Sequence, residues 1–183
     1  MADQPTPAGD LAKVLKQFTY GRYIITTRQD GDDLATREAD YLAAGAVSWA
    51  MQTSFSPPLL AIAIDKHSNL QETIHRSGVF ALHVLGSQDE PLLQRFGKAG
   101  KAGKAVSSEE IAGIDFHTSE KTGAPILAKG LAWLDCRVTD TLDGAGDHVI
   151  FVGEVVDAHC VRPGQPLHEW MTDHHYAGLA SPK

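Results

Sequence analysis

The stretch L-A-W-L-D-C-R-V-T-D-T-L-D-G-A-G-D-H-V-I-F-V-G-E-V-V-D-A-H-C, residues 131–160, decides the fold. Its two halves, 131–141 and 147–160, are rich in β-branched and aromatic residues, and the turn-rich L-D-G-A-G between them reads as a hairpin turn. His148, Ile150, Val152 and Val156 alternate with Val149, Phe151 and Val155, so the second strand is apolar on both faces. Such a strand needs cover on both sides, from a closed or sandwiched sheet or from a partner subunit. Closing the hairpin near Gly144 sets Thr139 opposite Val149 and Cys136 near Val152. Cys160 then lies about eight residues along the partner strand, and at ~3.3 Å per residue a direct Cys136–Cys160 bond is not expected.

Working back toward the N-terminus, strand and helix signals alternate without forming a βαβ series. Asp10 is a candidate N-cap for a short helix whose Leu11, Val14, Leu15 and Phe18 share one apolar face. Residues 22–27, 43–47, 58–64 and 79–85 have strand composition, and 29–33 (Q-D-G-D-D) has turn chemistry. The polar stretch S-W-A-M-Q-T-S-F-S, 48–56, reads as an irregular turn between two strands. Ser68 opens an S-x-x-Q capping box with Gln71, Leu70 and Ile74 supply an apolar stripe, and Gly78 sits where a helix commonly stops. Residues 88–96 read as another helix, with Asp89, Glu90 and Pro91 in its first turn. The three-residue repeat G-K-A at 97–105, together with 106–113, reads as a long exposed loop. The fold expected is therefore mainly β: an antiparallel β-barrel of six or seven strands with two or three short helices. With 183 residues, one domain is expected, its core spanning about 10–160 and a C-terminal arm covering 161–183.

Composition narrows the function. Sixteen basic against 23 acidic residues give a net charge of -7, which argues against a nucleic-acid partner. No apolar run approaches the ~20 residues of a spanning helix, and no basic region followed by an apolar core opens the chain, so a soluble cytoplasmic protein is expected. Two cysteines are too few for a disulfide framework or a clustered metal site. The nine histidines show no H-x-x-x-H spacing, and His168, His174 and His175 lack a supporting cysteine or carboxylate spacing, so no metal is expected. There is no G-x-S-x-G elbow, no G-x-G-x-x-G and no Walker loop.

The chemistry-bearing stretch is 43–68. An irregular backbone between strands leaves N–H and C=O groups available to the edge of a heterocycle, and Lys66 and His67, just before a helix start at Ser68, offer charge and N–H groups to a phosphate. Taken singly, each residue has a plainer role: Trp49 and Phe55 as core or interface aromatics, Ser68 as a cap, Lys66 as a solvated lysine.

Three ordered motifs raise the joint signal: 48–68, then S-G-V-F-A-L-H-V-L at 77–85, then G-D-H-V-I-F-V-G-E-V at 146–155. From about residue 18 to 157 the chain resembles the short flavin reductases and flavoredoxin-like proteins, the FMN-binding split-barrel family. The resemblance implies a homodimeric antiparallel split barrel of Greek-key type. It would bind FMN, or sometimes FAD, without a covalent bond and accept hydride from NADH or NADPH. By residue, it puts Ser48, Trp49, Gln52, Thr53 and Ser54 against the isoalloxazine, Lys66, His67 and Ser68 on the phosphate side, and His148 near flavin and nicotinamide. Trp49 and Gln52 stand where several flavin reductases carry small polar residues, which favours the flavoredoxin-like branch. His83 replaces an asparagine common in the F-A-x-N-V-L motif.

The leading activity is thus an NAD(P)H:flavin oxidoreductase that passes electrons to free flavin, a monooxygenase or a redox protein. The alternatives are a flavoredoxin-like carrier that retains FMN and a flavin-binding protein without turnover. The lysines at 98, 101 and 104 read as a solvated loop, and 167–176 as an arm that either packs on its own chain or covers a partner's site.

Overall fold

A computed structural model describes residues 8–29, 41–96 and 110–173. In chain order its elements are α1 (Ala8–Leu15), β1 (Tyr23–Gln29), β2 (Tyr41–Val47), β3 (Ala50–Phe55), β4 (Pro58–Asp65), α2 (Asn69–Ser77), β5 (Val79–Val84), α3 (Glu90–Phe96), β6 (Glu110–Ile111), β7 (Ile114–Thr118), β8 (Pro125–Leu127), β9 (Ala132–Leu142) and β10 (His148–Cys160). The expected turn at 30–33, the repeat at 97–105, His174, His175 and Tyr176 lie outside the described residues.

Seven strands form one antiparallel sheet in the order β2-β1-β5-β9-β10-β4-β3. Its two edge strands, β2 and β3, follow each other in the chain with only Ser48 and Trp49 between them. A link that short can join opposite edges only if the sheet curls round on itself. The curled sheet and α2 enclose Ile25, Ile62, Ile74, Phe80, Leu82 and Phe151. Each such side chain contributes ~1.5–3 kcal/mol on leaving water. The adjacent residue Ile24 points to the other face of β1, where a second cluster gathers Leu42, Leu85, Leu93, Phe96 and Leu127 under α3 and the small sheet β6-β7-β8. That alternation explains why the consecutive Ile24 and Ile25 are both fully buried: both faces of β1 are covered.

Several local expectations hold. Ser68 caps α2, its Oγ accepting from the Gln71 N–H, and Gly78 ends the helix at φ 68°. Leu70 and Ile74 are the buried stripe. The hairpin β9–β10 forms, and Cys136 and Cys160 are both free.

Others change. Cys136 lies opposite Val155, not Val152, because the hairpin closes around Gly146, with Leu142 opposite Ile150, and an extra residue in β9, Thr139, then shifts the pairing by one; a second shift, at Val156, adds a residue to β10 beyond Cys136. At Gly153 an added Cβ would stand 2.7 Å from the Phe80 ring, so close packing demands glycine at the first shift. Most of the polar stretch 48–56 is strand β3, polar because it is an edge with half its surface in solvent. The segment expected as loop up to 113 contains β6, whose Ile111 packs into the second cluster. Helix α1 begins ahead of Asp10, which therefore sits in the first turn and is not the cap, and Val14 and Phe18 are exposed instead of buried. Strand β10 is buried on one face, through Val149 and Phe151, while Ile150 on the other is 37% exposed.

Candidate functional site

His148 is the first residue of β10 and pairs with Asp65, the last of β4; the Lys66 N–H then donates to the Asp147 carbonyl at 3.0 Å, extending the ladder one step. The His148 ring faces away from the core, since its neighbour Val149 faces in. Trp49 lies over it, ring centroids 4.6 Å apart with a 45° tilt. Tyr20 is 6.4 Å from Trp49, and Phe18 stacks on Tyr20 at 5.9 Å, so four rings run in series to His148. His148 donates from Nδ1 to Asp147 Oδ1 at 2.7 Å. In the neutral ring this leaves Nε2 with the lone pair. That hydrogen bond, with the attraction of the imidazole, holds the Asp147 carboxyl below the usual carboxylate range.

The turn from β4 into α2 is tightly built. Asp65 Oδ1 accepts from the His67 N–H at 2.7 Å, and Ser68 Oγ donates to the Asp65 carbonyl at 2.7 Å while accepting from Gln71 at 3.1 Å. The N–H groups of Asn69 and Leu70, in the first turn of a nine-residue helix, have no carbonyl to reach within it. Lys66 is not the solvated lysine of the plainer reading. Its ammonium lies 2.5 Å from Asp143 Oδ1 and 2.6 Å from the Gly144 carbonyl, at the tip of the β9–β10 hairpin.

Ser48, Gln52, Thr53 and Ser54 do not join that group. Ser48 is buried and accepts from Arg22 Nη1 at 2.6 Å. Arg22 is itself buried, with Glu169 3.9 Å away, and its Nε has no hydrogen-bond partner among the described residues. Burial pushes the guanidinium down from its ordinary value, against the pull of Glu169. Gln52 and Thr53 are exposed on the edge strand β3, where Gln52 Nε2 donates to the Ser54 carbonyl at 3.1 Å. The pairing jumps from Gln52–Leu60 to Ser54–Leu59, leaving Thr53 bulged. Along β4, Leu60 is five residues from Asp65, roughly 17 Å at ~3.3 Å per residue. The expected site residues thus fall at two ends of one strand, and a ligand that touches both must be elongated. Phe55, opposite Pro58 in the β3–β4 hairpin, is 91% exposed.

Sequence reasoning missed Arg22, Asp143, Asp147 and Glu169. Asp147 was visible in the G-D-H motif beside His148; at Arg22 the signal was a charged residue directly before the run Tyr23–Ile25. The tail packs on its own chain through 173: Gly21 bridges His168, Gly86 bridges Pro166 and Leu167 is buried. Among the described residues no group of three or more His, Cys, Asp or Glu could hold a metal ion.

These donors fit a flavin mononucleotide. An edge strand with a bulge, and its hydroxyl and amide side chains, suit the polar rim of the ring; the Trp49–His148 pair suits a flat aromatic group; and the open first turn of α2 suits a phosphate.

Comparison with known proteins supports a flavin. A sequence profile for the flavin reductase like domain matches residues 15–179. The reductase subunit HsaB of a flavin-dependent monooxygenase from Rhodococcus jostii is 33% identical over 154 residues, covering 84% of this chain and 70% of that protein. A high molecular weight rubredoxin from Moorella thermoacetica is 34% identical over 157 residues, and the match spans 85% of this chain and 62% of that protein. The crystal structure of a nitrilotriacetate monooxygenase component B homolog from Mycobacterium thermoresistibile superimposes with a TM-score of 0.69 at 31% identity, covering 87% of this chain and 80% of that one. A flavoredoxin from Methanosarcina acetivorans, 20% identical over 91% of this chain and 88% of its own, shares the fold with a TM-score of 0.68. With the profile spanning nearly the whole chain, this protein belongs to the flavin reductase-like domain family.

Proposed function

We propose that the protein is an NAD(P)H:flavin oxidoreductase, with FMN as its first-choice flavin and FAD as the other. The observation that carries this reading is the Trp49–His148 pair standing next to the Lys66–Ser68 turn at the mouth of α2. Bound flavin would take the nicotinamide hydride at its N5. The chain's own contribution is orientation. Asp147 sets the His148 tautomer, Trp49 limits where that ring can turn, and His148 then stands at the bound nicotinamide or flavin. Trp49, Gln52, Thr53 and Ser54 line the isoalloxazine end, with buried Ser48 supporting them through its bond to Arg22, and Lys66, His67 and Ser68 stand on the phosphate side. No acid–base dyad is needed, because hydride transfer asks for distance and alignment.

Electrons leave to free flavin, to the oxygenase component of a two-component monooxygenase or to a redox protein. Relatives named as reductase components, such as the one from Rhodococcus opacus at 29% identity, support the second. The working unit is a homodimer. The outer face of β9, β10, β4 and β3 sets Leu142, Ile150 and Met51 in neighbouring rows with Ala61 and Ala63, and Met51 is 65% exposed. A subunit laid on that face would bury it beside His148. Among the described residues no helix is long and apolar enough to cross a membrane, and the cytoplasm supplies the reduced nucleotide this chemistry needs.

The test is steady-state turnover. With catalytic protein and excess free FMN or FAD, NADH or NADPH is oxidised for many turnovers per chain. One stoichiometric reduction followed by arrest would assign the flavoredoxin-like carrier instead.

A further inference from the structure

The tip of the β9–β10 hairpin, 143–147, carries His148 but has little packed against it. Neither Gly144 nor Gly146 has any atom within 4 Å of where a Cβ would stand. Three contacts from one residue tie this tip down: the Lys66 ammonium to Asp143 Oδ1 at 2.5 Å and to the Gly144 carbonyl at 2.6 Å, and the Lys66 N–H to the Asp147 carbonyl at 3.0 Å. The base of the clamp is firm, because Lys66 sits between the end of β4 and the capped start of α2, where Asp65 and Ser68 fix the turn. The last of the three contacts is made by the residue that aims His148 through its carboxylate.

We propose that Lys66 is a positioning residue for His148: its ammonium belongs to Asp143 and Gly144, holding the hairpin tip so that the Asp147–His148 pair faces the nicotinamide. Resting on the reductase reading, this changes what Lys66 does at that site. A lysine already closed on a carboxylate and a carbonyl has one donor left for a ligand phosphate, which the N–H groups of Asn69 and Leu70 in the first turn of α2 can hold without it. Asp143 thereby becomes a functional residue, though it touches no ligand.

The experiment compares Lys66→Met, Asp143→Asn and the double variant with the parent protein. Three readouts are used: dissociation constants for FMN and for riboflavin, which lacks the phosphate; kcat/KM for NADH and NADPH at saturating flavin; and amide hydrogen exchange over 143–148 in flavin-free protein. The clamp predicts faster exchange over 143–148 in either single variant. It also predicts a loss of about tenfold or more in kcat/KM for the nicotinamide, as loosened alignment gives, and a double variant no worse than the more impaired single one. The ratio of FMN to riboflavin affinity stays at its parent value. A tenfold selective loss of FMN binding in Lys66→Met, with Asp143→Asn like the parent, would overturn the proposal and make Lys66 a phosphate ligand. Should Lys66→Met not fold, Asp143→Asn decides alone, since it removes the charge from the clamp and leaves Lys66 in place. If the parent protein binds neither flavin, the reductase reading fails, and the exchange over 143–148 still tests the clamp.

Discussion

Acidification from about pH 6.5 toward 4 removes stability through one buried imidazole. His83, in β5, is 0% exposed and uses both ring nitrogens: Nδ1 donates to the Ile24 carbonyl of β1 at 3.1 Å, and Nε2 accepts from the Leu127 N–H of β8 at 3.0 Å. A second proton on the ring would point Nε2–H at Leu127 N–H and part the small sheet from the large one. Burial, helped by His117 and opposed by the Ile24 carbonyl, lowers the pKa from 6.5 to about 4. The folded state therefore binds fewer protons than the unfolded chain between those values. The stability this group supplies is complete above about pH 6.5, falls steadily as the pH drops to about 4, and changes no further below. A shift of that size at ~1.4 kcal/mol per unit is worth about 3 kcal/mol.

The assay is urea unfolding by circular dichroism, from neutral pH down to about 4, on the parent and on His83→Asn. Asparagine can still donate to Ile24 but leaves the Leu127 N–H without its acceptor, so the variant starts ~1–3 kcal/mol less stable at neutral pH. The gap between the two curves should close by about 3 kcal/mol toward pH 4. Parallel curves would refute the reasoning, because every other titrating group is common to both proteins.

Two further predictions concern groups remote from the hairpin tip. Burial, with Asp135 next to it, raises the Cys136 thiol to about 12, while Cys160 is exposed, so native protein should release one equivalent of thionitrobenzoate per chain and unfolded protein two. Two rapid equivalents in the native state would contradict the placement of Cys136. Glu169→Ala leaves the Arg22 guanidinium buried without its carboxylate, and should lower stability by ~2–3 kcal/mol, somewhat under the usual loss for a broken buried pair because the separation is 3.9 Å. An unchanged urea midpoint would show that Arg22 does not depend on that charge.

What the sequence made legible follows the physics of each signal. β1 and β5 were readable because their dense β-branched and apolar runs sit in a sheet covered on both faces, and the β9–β10 hairpin because two such runs flank a turn-rich segment, though β10 is covered on one face only. The limits of α2 were readable because Ser68 and Gly78 act on their nearest neighbours. β3 was misread because an edge strand is half solvated and carries the serine, threonine and glutamine of a turn. The hairpin register was missed because the turn-rich 142–146 does not say that the hairpin closes at Gly146, and because the shift at Gly153 depends on where the Phe80 ring lands, which no local pattern encodes. At the site, His148 and the 66–68 turn were legible as motifs, and the Asp65–His148 pairing sets them side by side. The Lys66–Asp143 contact spans far too much chain to be read from spacing, and the Arg22–Glu169 contact joins the first strand to the tail.

The central claim is tested most directly by the visible spectrum of the purified protein with added FMN, recorded under anaerobic conditions before and after NADH or NADPH. The account predicts a perturbed flavin absorption on binding and its loss on adding the nucleotide, at a rate that falls when His148 is replaced by alanine. A spectrum identical to free FMN, unchanged by either nucleotide, would contradict it.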